Sequence, residues 1–283
     1  MIPRYTASVV CGESALLQSR VSACVDDVGL WMRSNRLQLN TAKTEVLWCA
    51  SARRQNQIPV NSMMVGTDIV QPVRSVRDLG IHLDSDLSMR THVTRTVSSC
   101  FAVLRQIRSI RRSVSRSVVQ SLIVSLVLSR LDYGGATLAC LPARLLDRLQ
   151  SVQNAAARLI FGSRKYDHVT PLLHDLHWLR VPERIMFRLA VLVYRCQHGL
   201  APSYLADDLQ RVADIESRQR LRSASTLALV VPIRHSTIGD RAFPVAAARV
   251  WNGLPQMVTS SPSLVVFRRR LKTELFIRSY GTN

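Results

Sequence analysis

Leu16, Leu17, Val21, Cys24, Val25, Val28 and Trp31 recur at helical spacing and predict a helix over residues 14–34. Asn35 follows and suits a left-handed cap. Leu37 and Leu39, then Val46 and Trp48, alternate with polar residues, so LQLN and TEVLWCA read as one extended piece. ARRQNQIPVNS reads as a polar loop. MMVGTDIVQPV and SVRDLGIHLD read as two short strands, cut by turn chemistry at Gly66-Thr67-Asp68 and Asp84-Ser85-Asp86.

From about Thr91 the period lengthens to that of a helix. Helices are predicted near 91–112, 115–131, 142–161 and 182–198, with Pro142 and Pro182 at first helical positions and Gly162 and Gly199 at C-caps. SVVQSLIVSLVLSRL is the most apolar run; Ser, Gln and Arg interrupt it, and it reads as a buried helix rather than a membrane span. Beyond residue 200 the pattern is less regular. SYLADDLQRVADIESRQRLR is expected to be helical, LALVVPI a strand, and DRAFPVAAARVWNGLP and SLVVFRRRLKTELF short helices. The fold expected is mainly α with a small α+β N-terminal part, a helical bundle, and an irregular helical C-terminal region, divided at 1–90, 91–165 and 166–283.

Composition changes this picture in one respect. With 47% hydrophobic residues among 283, the chain can build a substantial core. Its 38 Lys+Arg against 19 Asp+Glu give a net charge of +19, which points to a polyanionic partner. Only Lys43, Lys165 and Lys272 are lysines; the rest is arginine, whose planar fork grips phosphate bidentately and stacks on bases. Residues 1–100 hold 11 basic and 8 acidic groups, residues 101–200 hold 15 and 5, and residues 201–283 hold 12 and 6. The excess begins where the helices begin.

FAVLRQIRSIRRSVSRSVV concentrates that excess. At 100° per residue Arg105, Arg108, Arg112 and Arg116 share one sector, opposite Cys100, Val103, Leu104, Ile107, Ile110 and Val114. Arg111 falls near the apolar edge, where its stem can snorkel. On one straight helix the four guanidinium groups would line up along ~17 Å, a length that matches several phosphates.

Other constellations are weaker. The six cysteines form no CxxC and read as buried thiols of a reducing compartment. MIPRYTASVVCGES lacks the apolar core of a secretion signal, so a nuclear or cytoplasmic, intracellular location is expected. Asp26-Asp27 could suggest a metal-binding pair, but adjacent positions on a helix point about 100° apart and read as a solvated face. His174 and His177 have ligand spacing without a third ligand and read as cap and interface residues. Cys196 and His198 read as a core thiol and a charge partner at a helix end. Trp31, Trp48, Trp178 and Trp251 read as core anchors. No phosphate-loop, dinucleotide or nucleophile-elbow motif occurs.

WMRSNRLQLNTAKTEVLW, VRDLGIHLDSDLSMRTHV, LRQIRSIRRSVSR, SRLDYGGATL and LQSVQNAAARLIFG occur in that order. Together they resemble the C-terminal part of the reverse transcriptase of a LINE-type, non-LTR retrotransposon, jockey-like in a broad sense. TIGDRAFPVAAARVWNGLP and FRRRLKTELF resemble the tail of the same polyproteins. The resemblance spans about residues 14–276. It implies that 1–90 is a palm edge with primer-grip-like strands, 91–165 a thumb-like helical bundle, and 166–283 the C-terminal helical region. Asn35, Leu37, Asn40, Lys43, Thr44 and Glu45 match the last conserved palm element, in which the lysine guides pyrophosphate departure.

The family's catalytic carboxylates lie in a Tyr/Phe-Ala-Asp-Asp hairpin that has no counterpart in GESALLQS. The expectation is therefore a non-catalytic fragment of an RNA-directed DNA polymerase, with Lys43 idle and no cofactor, Mg²⁺ being needed only by a full-length parent. Its expected act is sequence-independent binding of RNA, RNA–DNA hybrid or DNA through Arg105, Arg108, Arg112 and Arg116, assisted by Arg268, Arg269 and Arg270. No membrane partner is expected. The alternatives are a decayed remnant without an evolved function, or an interaction module that offers the exposed palm edge to a protein.

Overall fold

The computed structural model describes residues 14–65, 68–215, 227–233 and 239–281. The chain divides into two compact units, 1–92 and 93–283. Together they are mainly helical, with a small α+β part at the N-terminus.

In the first unit helix α1 (Ser14–Ser34) is followed by two antiparallel hairpins, β1 (Met63–Val65) with β2 (Asp68–Val70), and β3 (Ser75–Asp78) with β4 (Ile81–Asp84). The first run is cut between β1 and β2 as expected, although Asp68 belongs to β2, and the second run, expected to be one strand, folds back on itself. In the second hairpin the reason is Leu79-Gly80, both at positive φ (44° and 87°), the turn form that matches strand twist. Asp84-Ser85-Asp86 is a turn as expected, with Leu87 N–H donating to the Asp84 carbonyl at 2.8 Å. The Asp84 side chain is buried, however, and accepts from Thr91 N–H at 3.1 Å, satisfying an open donor in the first turn of the next helix.

The extended piece expected over LQLN and TEVLWCA is not formed. A 3₁₀ turn, Thr41–Lys43, interrupts it, and its pairing is a single bridge between Val46 and Pro72. ARRQNQ forms a 3₁₀ helix, Ala52–Gln57, whose Gln55 amide donates to the carbonyls of Ala50 and Ser85. At the end of α1 the left-handed residue is Arg36 (φ 58°), not Asn35. Arg36 N–H donates to the Arg33 carbonyl and Leu37 N–H to that of Met32, closing the helix as a Schellman motif. Of the predicted apolar face of α1, Leu17 is buried, whereas Leu16 and Trp31 are 60% and 61% exposed. Trp31 is therefore not a core anchor.

Helix α2 (Arg90–Ile110) leads into the second unit. There α3 (Arg116–Ile123) passes through a π turn, Val124–Leu128, into α4 (Ser129–Asp132). The stretch is amphipathic rather than wholly buried: Val119, Ile123, Val127 and Leu131 face the core, while Val118, Val124 and Leu126 are exposed. α5 (Ala143–Phe161), α6 (Thr170–Asp175), α7 (Val181–Gln197), α8 (Ser203–Ala206), α9 (Phe243–Asn252), α10 (Gln256–Thr259) and α11 (Leu264–Tyr280) complete the unit. Gly162 and Gly199 end α5 and α7 at φ 71° and 67°. Pro182 lies in the first turn of α7, but Pro142 is the residue before α5.

Helix α7 packs against α5, α9 and α11. Its Tyr194 stacks on Phe267 of α11 at 4.4 Å and donates to the Ser261 carbonyl at 3.0 Å. Trp178 and Trp251 are buried here, and Trp48 is half-buried in the first unit.

The long helix expected over SYLADDLQRVADIESRQRLR is reduced to α8 and a 3₁₀ turn, Val212–Asp214; residues 216–222 lie outside the described residues. LALVVPI is not a strand. It makes one bridge, Arg211 with Leu229, and the Asn252 amide takes the place of a neighbouring strand by bonding both Leu229 N–H and C=O at 2.8 Å. The thiols are not uniformly buried: Cys100 and Cys196 are, Cys24 is half-buried, Cys49 and Cys140 are exposed, and Cys11 lies outside the described residues. Among the described residues no helix is long and apolar enough to cross a membrane.

Candidate nucleic-acid interface

The arginine-bearing segment is not one rod. α2 ends at Ile110, a 3₁₀ turn covers Arg111–Ser113, Val114 is extended, and α3 begins at Arg116. Serine chemistry makes the break. Ser115 accepts from Val118 N–H as the N-cap of α3, and serine competes with the helix for backbone groups. Arg105 and Arg108 therefore stand on α2, Arg112 on the elbow and Arg116 on α3, rather than along one straight ~17 Å stripe.

The apolar side holds in part: Val103 and Val114 are half-buried, and Ile110, at the end of α2, is exposed. Cys100, Leu104 and Ile107 are buried, while Arg105, Arg108, Arg112 and Arg116 are exposed. Among the described residues none of these four arginines is ion-paired with a carboxylate.

Two contacts seat the elbow on the C-terminal end of α5. Arg111 Nε donates to the Leu159 carbonyl at 2.7 Å, and its guanidinium lies over Gly162, where a Cβ would overlap it. Leu159 is in the last turn of α5, where carbonyls lack helical partners and the helix dipole is negative, so a cation is well placed there. Arg111 is thus a bonded anchor and not a snorkelling side chain. Arg116 lies over the Phe161 ring, 3.9 Å from its centre, which holds the guanidinium in a cation–π contact while the side chain stays exposed. Sequence reasoning missed Leu159 and Phe161 as partners because 48 and 45 residues separate them from Arg111 and Arg116.

The second set divides. On α11 the buried residues are Phe267, Leu271 and Leu275, and Arg268, Arg269, Arg270 and Lys272 are exposed. Arg270 Nη1 donates to the Met257 carbonyl at 2.8 Å and ties α11 to α10, so it is a structural contact first.

Lys43 is exposed on its 3₁₀ turn, and Thr44 Oγ1 donates to the Asn40 carbonyl. Asp26 and Asp27 are exposed on α1. His174 and His177 pack on Phe276 at 5.1 and 5.7 Å. Among the described residues no three His, Cys, Asp or Glu gather as metal ligands. Asp132, from the SRLDYGGATL motif, accepts from Arg184 Nη2 at 2.6 Å and Arg188 Nη2 at 2.9 Å. The cleft beside it offers about 10 Å³, room for roughly one water and not a ligand pocket.

No protein-family model, curated protein or solved structure matches the chain. What fold and surface define is a basic, mainly helical protein whose elbow between α2 and α3 presents arginines without a carboxylate partner among the described residues.

Proposed function

We propose that this chain is a non-catalytic part of a retrotransposon-type RNA-directed DNA polymerase that binds RNA, RNA–DNA hybrid or DNA without regard to sequence. Arg105, Arg108, Arg112 and Arg116 contact phosphates, with Arg268 and Arg269 assisting from α11. The observation that supports this most is the exposure of the first four without a carboxylate partner among the described residues. Folding spends none of their charge, and each can release a counterion when it meets a phosphate.

The test is binding of a short duplex across a salt series. On duplex DNA the slope of log affinity against log salt is expected near −0.9 per neutralised phosphate. Changing the four arginines to glutamine flattens it. Unchanged affinity and slope in that variant would remove the assignment.

A second reading has its own observation. Leu16, Leu30 and Trp31 share one side of α1 and are 60%, 55% and 61% exposed. A protein partner on this face would bind with little dependence on salt, and Trp31→Ser would weaken it without affecting the duplex.

A further inference from the structure

The turn between α5 and α6 holds an aromatic ring in the open. Asp167 N–H donates to the Arg164 carbonyl at 3.2 Å, and the Asp167 carboxylate accepts from Arg164 N–H at 2.6 Å. From α5, Arg158 Nη2 donates to the Asp167 carbonyl at 3.0 Å. The backbone of this turn is therefore pinned three times. Its middle residues face solvent: Tyr166 is 90% exposed, with Lys165 Nζ 5.9 Å from the ring centre, and Arg164 is exposed beside them.

A single exposed apolar side chain is ordinary. Tyr166 differs because its backbone is fixed, so little ordering entropy remains to be lost when a flat partner covers the ring. Cationic residues precede it in the turn, as at stacking sites for single-stranded nucleic acid. It is also rooted where the elbow is seated. Arg111 lies over Gly162, and the four residue steps from Gly162 to Tyr166 span at most about 14 Å. That reach is about four nucleotide steps of 3.4 Å.

We propose that Tyr166 stacks on an unpaired base where a duplex gripped by the α2–α3 elbow gives way to single strand. The ligand class is an RNA–DNA hybrid or duplex with a single-stranded overhang. This rests on the nucleic-acid reading above and adds a preference for the junction.

Anisotropy titrations of the full chain with a blunt hybrid, and with the same hybrid carrying a 5′ or a 3′ overhang, test it. One overhang polarity is expected to bind about fivefold to tenfold more tightly than the blunt form, as one base–aromatic stack provides. A fluorescent purine at the first unpaired position is quenched on binding. Tyr166→Ala abolishes the preference and the quenching and leaves blunt-hybrid affinity unchanged; Tyr166→Trp keeps both. Equal binding of blunt and overhang forms, with the salt-dependent duplex affinity intact, overturns the junction proposal alone. A preference that survives in Tyr166→Ala also overturns it. Absence of salt-dependent binding to any form overturns both proposals.

Discussion

Arg116 lies 3.9 Å from the centre of the Phe161 ring, so the first residue of α3 is held by the last residue of α5. The contact fixes a cation that would otherwise move freely on an exposed surface, and it does so without a carboxylate that would cancel the charge. Phe161→Leu keeps the apolar volume and removes the ring. We expect about a threefold loss of duplex affinity, the low end of a cation–π contact, with the salt slope unchanged because the charge count is the same. A fall in slope would mean that Arg116 had left the interface altogether.

Gly162 and Gly199 are two C-caps with nearly the same φ but different surroundings. A Cβ at 199 meets nothing within 4 Å, whereas one at 162 overlaps the Arg111 guanidinium. Gly199→Ala is expected to cost about 1 kcal/mol for the left-handed backbone alone. Gly162→Ala should cost more than that, up to roughly twice as much in urea denaturation, since the Arg111 guanidinium must also shift and strain its bond to the Leu159 carbonyl. Equal costs would show that Arg111 is not seated there.

Asp132 accepts two guanidinium groups while being only 18% exposed, as is Arg184 at 20%. Asp132→Asn removes the charge and leaves Arg184 without a counter-ion. The expected loss is about 2 kcal/mol, below the range for fully buried pairs because water reaches this one. Arg184→Met added to Asp132→Asn should recover part of it; no recovery would mean that packing rather than charge dominates.

His92 is buried in the first turn of α2, where burial and then the neighbouring His82 hold its imidazole below the usual value of 6.5, against the smaller pull of Asp84. The unfolded chain therefore binds this proton more readily than the folded one. Stability is complete above about pH 6.5 and falls as the pH drops through the interval below it. Denaturation midpoints across that interval should show the decline, and His92→Gln should flatten it. A midpoint at or above 6.5 for the His92 ring by NMR would reverse the sign.

Burial pushes the Cys100 thiol up to about 11. At pH 8 it is un-ionised as well as covered, so iodoacetamide should modify exposed Cys140 and spare Cys100 until the unit opens. Mass mapping after a short pulse reads this directly.

The long helices were legible because caps and periodicity agree. Residues 14–34, 142–161 and 182–198 match α1, α5 and α7 to within a residue, and Gly162 and Gly199 take the left-handed form expected of them. Several features were hidden in different ways. The turn at Leu79-Gly80 was masked by its leucine, a residue not expected at positive φ. A break near residue 113 was expected from the bounds 91–112 and 115–131; hidden was that it comes after Ile110, with Ser115 as the cap of α3, a choice of about 1 kcal/mol that periodicity does not register. LALVVPI has strand composition but is held by the Asn252 side chain, so tertiary contact overrode propensity. The four exposed arginines could be named from the pattern. Their partition between two helices follows from the bounds 91–112 and 115–131, but the seating of the elbow on α5 could not be read, because Leu159 and Phe161 enter through the tertiary fold alone.

The basic residues of α11 share a helix with three of the most deeply enclosed side chains in the second unit, Phe267, Leu271 and Leu275. The same helix ends at Tyr280, whose hydroxyl reaches back 102 residues to the Trp178 carbonyl at 2.6 Å. Deletion mapping would therefore mislead here. Clipping the C-terminal segment to probe its positive charge would pull out a structural wedge, and any loss of binding would report collapse of the unit instead of missing arginines. Charge at this end has to be dissected by side-chain replacement at Arg268 and Arg269, with chain length left intact.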